Sequence, residues 1–97
     1  MAEYRLSEAA DADLLQIAYY TTGQFGPRQA MIYGEGFEQC FELIADNPKV
    51  GLAKDGIRLG LRCLNHKSHA IFYIETDQGI LIVRILHDRQ DPARHLG

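Results

Sequence analysis

The spacing of apolar residues changes halfway along the chain, and this change determines the fold class. Between Ser7 and Asn47 apolar residues recur at intervals of three and four, which is the repeat of a helix. After Gly56 they alternate with a period of two, as in a half-buried strand. A chain of 97 residues is sized for one hydrophobic core. We therefore predict one α+β domain over residues 1–97, with the helices preceding the sheet.

The first half predicts two helices that form an antiparallel hairpin. Ser7 is a suitable N-cap, and helix one is expected to run to about Thr22. The segment 23–26 interrupts the pattern, and Pro27 suits the first turn of helix two, which is expected to end before Asn47. The apolar stripe of helix two has the strongest periodicity in the chain: Ala30, Tyr33, Phe37, Cys40, Phe41 and Ile44. Gly34 and Gly36 within this helix indicate close packing.

The second half predicts an antiparallel meander of three strands, at residues 57–64, 69–75 and 80–86. One alternating set of the first strand is expected to face the helices: Ile57, Leu59, Leu61 and Cys63. In the last strand we assign Leu81, Val83 and Ile85 to the same side. Because the other set of the last strand is also largely apolar, two helices can cover only one of its two faces.

Basic residues are concentrated in the second half. Residues 1–48 hold two basic and eight acidic side chains, whereas residues 49–97 hold eight basic and five acidic ones. With the strand faces assigned above, Arg58, Arg62 and Arg84 would share the uncovered side of the sheet. Such a face suits an anionic or protein partner. The alternative is that each arginine pairs with a local carboxylate.

Several classes of protein are disfavoured by the sequence. The longest apolar run, residues 80–83, is too short to span a bilayer, and the opening residues do not form a signal peptide. We expect a cytoplasmic protein with Cys40 and Cys63 reduced. Cys63, His66 and His69 have metal-like spacing but lack a fourth ligand, so we expect no metal. No dinucleotide fingerprint or nucleophile triad is present, and we expect no cofactor.

The order of several segments resembles a known family along almost the whole chain. They are Tyr4-Arg5-Leu6-Ser7, Ala12-Asp13-Leu14, Phe25-Gly26, Ile57-Arg58-Leu59-Gly60-Leu61-Arg62, His69-Ala70-Ile71-Phe72-Tyr73, Arg84-Ile85-Leu86-His87-Asp88-Arg89-Gln90-Asp91 and His95-Leu96. Together they resemble ParE-type toxins of the RelE/ParE toxin–antitoxin superfamily, although that family often has Met where Gln90 stands. The resemblance implies an N-terminal strand that joins an antiparallel sheet, with a helical hairpin packed on one face.

The resemblance also implies a function and two partners. ParE-like members are non-enzymatic inhibitors of DNA gyrase, and a cognate ParD-like antitoxin neutralises them by direct binding. Direct nucleic-acid or membrane binding is not expected. The target-binding candidates are Arg58, Arg62, Arg84, His87 and Arg89. Apolar residues outside the main helical stripes are candidates for antitoxin binding: Leu15, Tyr19 and Ile32.

RelE-like members of the superfamily provide the alternative, a ribosome-dependent endoribonuclease that cuts mRNA. RNA cleavage needs a base, an acid and cations for the phosphate. In this chain those roles would fall to His87, Arg62 and Arg84. The predicted second strand has no lysine and no tyrosine follows the last strand, which favours the ParE alternative. His87 has a further interpretation, in which it only holds the C-terminal segment by hydrogen bonds.

Overall fold

The computed structural model describes residues 3–96 and has the predicted α+β architecture. Its helices are α1 (Glu8–Phe25), α2 (Pro27–Asp46) and α3 (Pro92–Leu96). Its strands are β1 (Glu3–Leu6), β2 (Leu52–Ala53), β3 (Arg62–His66), β4 (His69–Thr76) and β5 (Gly79–His87). They form one sheet in the order β1-β5-β4-β3-β2. None of the helices within residues 3–96 is long and apolar enough to cross a membrane.

The sheet is mixed rather than wholly antiparallel. Strands β2 to β5 pair antiparallel, as the meander predicts. The N-terminal strand joins the sheet as the resemblance implied, but it runs parallel to β5, with Tyr4 opposite Ile80. Both helices and three strands separate β1 from β5 along the chain, so no tight turn imposes an antiparallel direction.

Ser7 joins the start of α1 to the sheet. Its Oγ accepts a hydrogen bond from the Ala10 N–H at 3.0 Å, which confirms the predicted N-cap. The same hydroxyl donates to the carbonyl of Val83 at 2.7 Å, and the Ser7 N–H donates to the carbonyl of Ile82. The cap therefore also fixes where α1 leaves the edge of β5.

The helix-facing core consists of the α2 stripe and one face of the sheet. Phe37, Phe41 and Ile44 are almost fully buried. They pack with one set of residues from β4 and β5: Ile71, Tyr73, Ile80, Ile82 and Ile85. The predicted close packing holds at Gly36, where an added Cβ would come within 2.9 Å of the His66 ring. It does not hold at Gly34, where nothing lies within 4 Å.

The opposite face of the sheet has its own apolar cluster, which corrects the predicted facing of two strands. It comprises Leu61, Cys63, Phe72, Leu86 and Leu96, with Ile57, Ala70, Ile74 and Val83 at its margin. The assignment of Ile57, Leu61 and Cys63 to the helices is therefore wrong, and Leu59 is 88% exposed. On β5 the helix-facing residues are Ile80, Ile82 and Ile85.

A β-bulge explains why only one of the three predicted residues of β5 faces the helices. Tyr73 pairs with Ile82, but the preceding Phe72 pairs with Arg84, so Val83 has no partner. The alternation therefore shifts within the strand, and Ile85 faces the same core as Ile82. Because both alternating sets are apolar, periodicity alone did not distinguish the two faces.

The first predicted strand begins five residues later than expected. The segment 54–60 is a turn in which the Ile57 N–H donates to the Lys54 carbonyl and the Gly60 N–H donates to Asp55. Gly60 has a φ of 84°, a conformation that glycine adopts without strain. Arg58 is therefore an exposed turn residue.

Arg62 and Tyr73 hold the loop at residues 48–51 against the sheet. The Tyr73 hydroxyl donates to the Pro48 carbonyl and accepts from the Gly51 N–H, both at 2.8 Å. The Arg62 guanidinium donates to the Gly51 carbonyl at 2.7 Å and to the Lys49 carbonyl at 3.3 Å. Arg62 lies directly opposite Tyr73, whose ring belongs to the helix-facing core. Arg62 thus does not share an uncovered face with Arg58.

Arg84 binds α1, which corrects its predicted position on an uncovered arginine face. Its Nε and Nη2 donate to the two carboxylate oxygens of Asp13 at 2.8 and 3.0 Å. Asp13 also accepts from the Ile85 N–H at 2.9 Å. The hydrogen bonds to Asp13 raise the pKa of the Arg84 guanidinium. The sequence could not locate this partner, because it lies 71 residues away along the chain.

We predict that Asp13→Ala lowers the free energy of unfolding by roughly 2–4 kcal/mol, because it leaves a largely buried guanidinium and a strand N–H without their acceptor. The Arg84 and Asp13 side chains are only 22% and 14% exposed. Urea denaturation followed by circular dichroism measures the change. Glu35→Ala on the exposed surface of α2 is the control, with an expected effect within about 0.5 kcal/mol. An Asp13→Ala loss no larger than that of the control would contradict the anchoring role.

Candidate functional site

A groove lies between the connected ends of α1 and α2 and the ends of β4 and β5. Its volume is about 640 Å³, within the usual range for ligand sites of roughly 300–1,000 Å³. Ile17 and Thr21 of α1 line it together with the rings of Tyr20, Phe25 and Tyr33. Its polar lining is contributed by Lys67, Ser68, His69, His87 and Arg89, with Gln29. We call this feature the histidine groove.

Strand pairing brings together the two histidines that line the groove. His69 opens β4 and His87 closes β5, and the two residues are directly opposite each other. Their rings meet edge to face with centroids 5.2 Å apart. The Tyr33 hydroxyl lies 2.8 Å from His69 Nδ1. Burial raises the pKa of Tyr33, and its hydroxyl shares a hydrogen bond with that nitrogen in which the histidine tautomer decides the donor.

The environment favours the neutral forms of His66 and His69. Burial, and then the neighbouring charge of Lys67, lowers the pKa of His66. Its ring packs against Phe37 and Tyr33, and its Nε2 is buried without a hydrogen-bond partner among the described residues. Burial also lowers the pKa of His69, followed by repulsion from His87, while Asp88 acts in the opposite direction.

His87 organises the turn that begins the C-terminal segment. Its Nδ1 lies 3.1 Å from the Arg89 nitrogen, from which it accepts when it carries no proton, and 2.8 Å from an Asp88 carboxylate oxygen, to which it donates only when it carries one. The His87 N–H donates to the Gln90 side chain, and Gln90 therefore has a structural role in the turn. These contacts agree with the interpretation in which His87 holds the segment, and they orient it toward the groove together with Arg89.

The five target-binding candidates do not form one surface. Arg58 is exposed in the turn at residues 54–60, and Arg89 is exposed at the histidine groove with His87. Arg62 and Arg84 use their guanidinium groups for the loop at residues 48–51 and for Asp13. The alternative nuclease set of His87, Arg62 and Arg84 is likewise not assembled, since neither arginine lines the groove.

The sequence did not identify Tyr33, Lys67 and His69 as neighbours of His87. The helical stripe placed Tyr33 toward the sheet, and both histidines were visible at strand ends. The missing information was the register of β4 against β5, which sets His69 opposite His87. The exposed rings of Tyr20 and Phe25 were missed because they lie off the core stripe of α1.

The three antitoxin-binding candidates are exposed on the helical hairpin. Leu15 is 71% exposed, Tyr19 84% and Ile32 50%. Leu15 and Tyr19 each lie two positions from the core-packed Ile17, about 200° around the helix. Ile32 lies five positions before Phe37, about 140° away from the core stripe of α2. Leu15 and Tyr19 therefore lie on the side of α1 away from the groove, whereas Ile32 lies at the margin of α2, where it lines a small pocket with His66 and Lys67.

The cysteine and histidine set considered for metal binding is divided between the two faces of the sheet. Cys63 belongs to the second apolar cluster, and His66 packs against Phe37 on the helix side. Among residues 3–96 no group of three potential ligands is placed to hold a metal ion. Both cysteines are free, and burial raises the pKa of each thiol.

Comparisons with known proteins agree with this architecture. The chain matches, over residues 4–92, the family described as "ParE toxin of type II toxin-antitoxin system, parDE". A curated relative from Mycobacterium tuberculosis, Toxin ParE1, is 40% identical over 96 residues, with 98% of each chain covered. A protein of the same name from Caulobacter vibrioides is 35% identical over 97 residues, with both chains covered completely.

A solved structure is also similar. It is described as a chromosomal ParDE TA system from P. aeruginosa, and it matches with a TM-score of 0.77 and 19% sequence identity. The match covers 90% of this chain and 96% of that one. At this level of identity the likeness supports the fold alone.

The lowered pKa values of His66 and His69 predict a loss of stability on mild acidification. Unfolded histidines take up protons near pH 6.5, whereas these two folded ones do so only at lower pH. Between those pH values the unfolded state binds more protons, so the free energy of unfolding falls as the pH is lowered from about 7 to about 5.5. Urea denaturation across this range measures the slope.

A variant with both His66→Gln and His69→Gln should show a flatter pH dependence over this range. His95→Gln is the control, because His95 is exposed in α3 and lies outside this cluster. The same slope in the double variant and in the unchanged chain would show that the two histidines do not cause it.

Proposed function

The chain belongs to the ParE toxin family of type II toxin–antitoxin systems, and from this premise we propose that it inhibits DNA gyrase and is neutralised by direct binding of a ParD-like antitoxin. In this proposal the chain acts by binding and not by catalysis. It traps gyrase on DNA, and the antitoxin prevents that contact.

Two arginines favour binding over RNA cleavage, because their guanidinium groups are already used within the fold. Arg84 forms two hydrogen bonds to Asp13, and Arg62 holds backbone carbonyls of the loop at residues 48–51. A cation that stabilises a transferring phosphate must offer free donors to it. Each of these arginines would have to give up structural bonds first, which supports a role in the fold for both.

The residues proposed to contact gyrase lie in two places, Arg58 in the turn at residues 54–60 and His87 with Arg89 at the histidine groove. Arg58 stands beside Leu59, which is 88% exposed, so this turn offers a charge and an apolar side chain together. Arg89 and His87 belong to the C-terminal segment, whose turn is fixed by the Gln90 and Asp88 contacts. A central apolar residue with neighbouring arginine is a common composition for a protein interface.

The surface proposed for the antitoxin is the outer side of the helical hairpin. Leu15, Tyr19 and Ile32 expose apolar side chains there, and Met31 adjoins them on α2 with 65% of its surface exposed. Exposed aromatic and aliphatic side chains at helical spacing suit a partner segment with its own apolar stripe. Because the hairpin is acidic, basic residues at the margins of the partner segment would complement its charge.

The histidine groove favours a second candidate function, that of a ribosome-dependent mRNA endoribonuclease. It brings together two imidazoles, a tyrosine hydroxyl and the side chains of Lys67 and Arg89. Imidazole groups can take and return protons near neutral pH. A nuclease built on this chain would therefore use His69, His87 and Arg89, and not Arg62 or Arg84.

An assay with purified components separates the two functions. We expect the purified chain to inhibit supercoiling by DNA gyrase, or to accumulate cleaved DNA, while mRNA on programmed ribosomes remains intact. Arg58→Ala and Arg89→Ala should each raise the concentration needed for half-inhibition by up to about fivefold, since an exposed charge contributes up to about 1 kcal/mol.

The control for the gyrase assay is Arg5→Ala, which removes an exposed charge from β1 at the far edge of the sheet. Its inhibition curve should match that of the unchanged chain. Normal gyrase activity in excess toxin, together with codon-positioned cuts in the message, would reject gyrase as the target and support the nuclease.

Antitoxin binding is tested on the outer hairpin surface. Leu15→Asp, Tyr19→Asp and Ile32→Asp should each weaken binding of the antitoxin encoded beside this chain by at least about tenfold, because interface anchors of this kind lose their apolar contact. Isothermal titration calorimetry measures the affinity. Leu59→Asp is the matched control, being an equally exposed apolar residue outside the helices. Equal losses in all four variants would refute the assignment of this surface.

A further inference from the structure

The charge of the histidine groove is unlike that of the chain as a whole. The chain has 13 acidic residues and a formal net charge of −3. None of the groove-lining residues is acidic, whereas Lys67, Arg89, His69 and His87 all line it. Two carboxylates outside the lining act on His69, namely Asp88, which lies beside His87, and Asp13, which is bound by Arg84. A concave surface with this lining attracts an anion.

The groove also has exposed aromatic rings, which could contact a group joined to that anion. Phe25 is 68% exposed and Tyr20 66% exposed, although both line a concave surface. Lys67 lies with its Nζ 5.6 Å from the centroid of the Tyr33 ring. Rings with open faces beside free cations are the combination that binds a planar base joined to a phosphate.

We propose that the histidine groove binds a free nucleoside phosphate, with the phosphate between Lys67 and Arg89 and the base against the aromatic side chains. The two histidines add hydrogen-bond donors at the phosphate end. His69 is suited to this role because the Tyr33 hydroxyl engages its Nδ1, which leaves Nε2 for the phosphate. This proposal concerns the groove alone and does not rest on gyrase being the target.

A free nucleotide fits the surroundings better than a nucleic-acid strand does. A strand needs a continuous basic track for its successive phosphates. Away from the groove, Arg84 is neutralised by Asp13 and Arg62 is held by backbone carbonyls. The helices that flank the groove belong to the half of the chain with eight acidic and two basic residues. The adjoining pocket adds one further lysine, Lys54, so the basic surface extends only a short way beyond the groove.

The test is a titration of the purified full chain with AMP, followed by amide chemical shifts in NMR spectra. We expect saturable shifts at Lys67, His69 and Arg89. Inorganic phosphate and adenosine, each alone, should bind at least about tenfold more weakly than AMP, because each lacks one half of the recognition. Weaker binding at higher salt is also expected, since the phosphate contact is ionic.

Variants separate the two halves of the groove. Lys67→Gln and Arg89→Gln should each weaken AMP binding by about tenfold, since a charge-assisted hydrogen bond to phosphate is lost. Phe25→Ala should weaken binding of AMP but leave that of inorganic phosphate unchanged. Arg5→Gln and Leu52→Ala are the controls, because they remove an exposed charge and an exposed apolar side chain outside the groove. Circular dichroism verifies that every variant is folded.

Several results would overturn the proposal. One is the absence of saturable shifts with AMP at millimolar concentration, and another is equal affinity for inorganic phosphate and AMP. Unchanged AMP binding in both Lys67→Gln and Arg89→Gln would also overturn it. A short single-stranded RNA that binds far more tightly, with shifts extending beyond the groove, would identify a strand site. Binding of an acidic peptide without binding of AMP would assign the groove to a protein partner.

Discussion

The Asp13 carboxylate is the contact on which the arrangement of helices and sheet depends. β1 covers the edge of β5 only as far as Ile82, and Ser7 then binds the next carbonyl, that of Val83. Beyond that point Asp13 accepts from the Ile85 N–H and from the Arg84 guanidinium. A strand edge left without partners is unfavourable when it is shielded from water. By satisfying this edge, Asp13 fixes α1 against β5, and α1 carries Tyr20 and Phe25 to the histidine groove.

This contact also determines which cations are available for function. Arg84 and Arg62 stabilise the fold, the first through a carboxylate and the second through loop carbonyls. Of the exposed cations, Arg58 lies in the turn at residues 54–60, and Lys67 and Arg89 lie at the groove, while the outer hairpin offers apolar side chains. Three surfaces of different chemistry on so small a chain suit a protein that acts through partners.

Local signals in the sequence predicted the elements, and long-range pairing determined the rest. The N-cap at Ser7 and the stripe of α2 each have a cause within a few residues, and the structure contains both. The predicted break at residues 23–26 is confined to Gly26, because α1 runs three residues further than expected. The side of β5 that faces the helices was mispredicted for two reasons. Both of its alternating sets are apolar, and the bulge at Val83 reverses which set faces the helices. The positions of Arg84 and His69 depend on partners that are distant along the chain, Asp13 and His87. No periodicity contains that information, although the family resemblance correctly supplied the membership of β1 in the sheet.

We propose that this member of the ParE family acts on gyrase and not on mRNA, and an experiment in growing cells distinguishes the two targets. The chain is induced without its antitoxin, and the same culture is analysed for DNA breaks covalently joined to gyrase and for new 5′ ends of mRNA. We expect breaks at gyrase sites with the mRNA ends unchanged. Codon-phased mRNA ends without gyrase-linked breaks would contradict it.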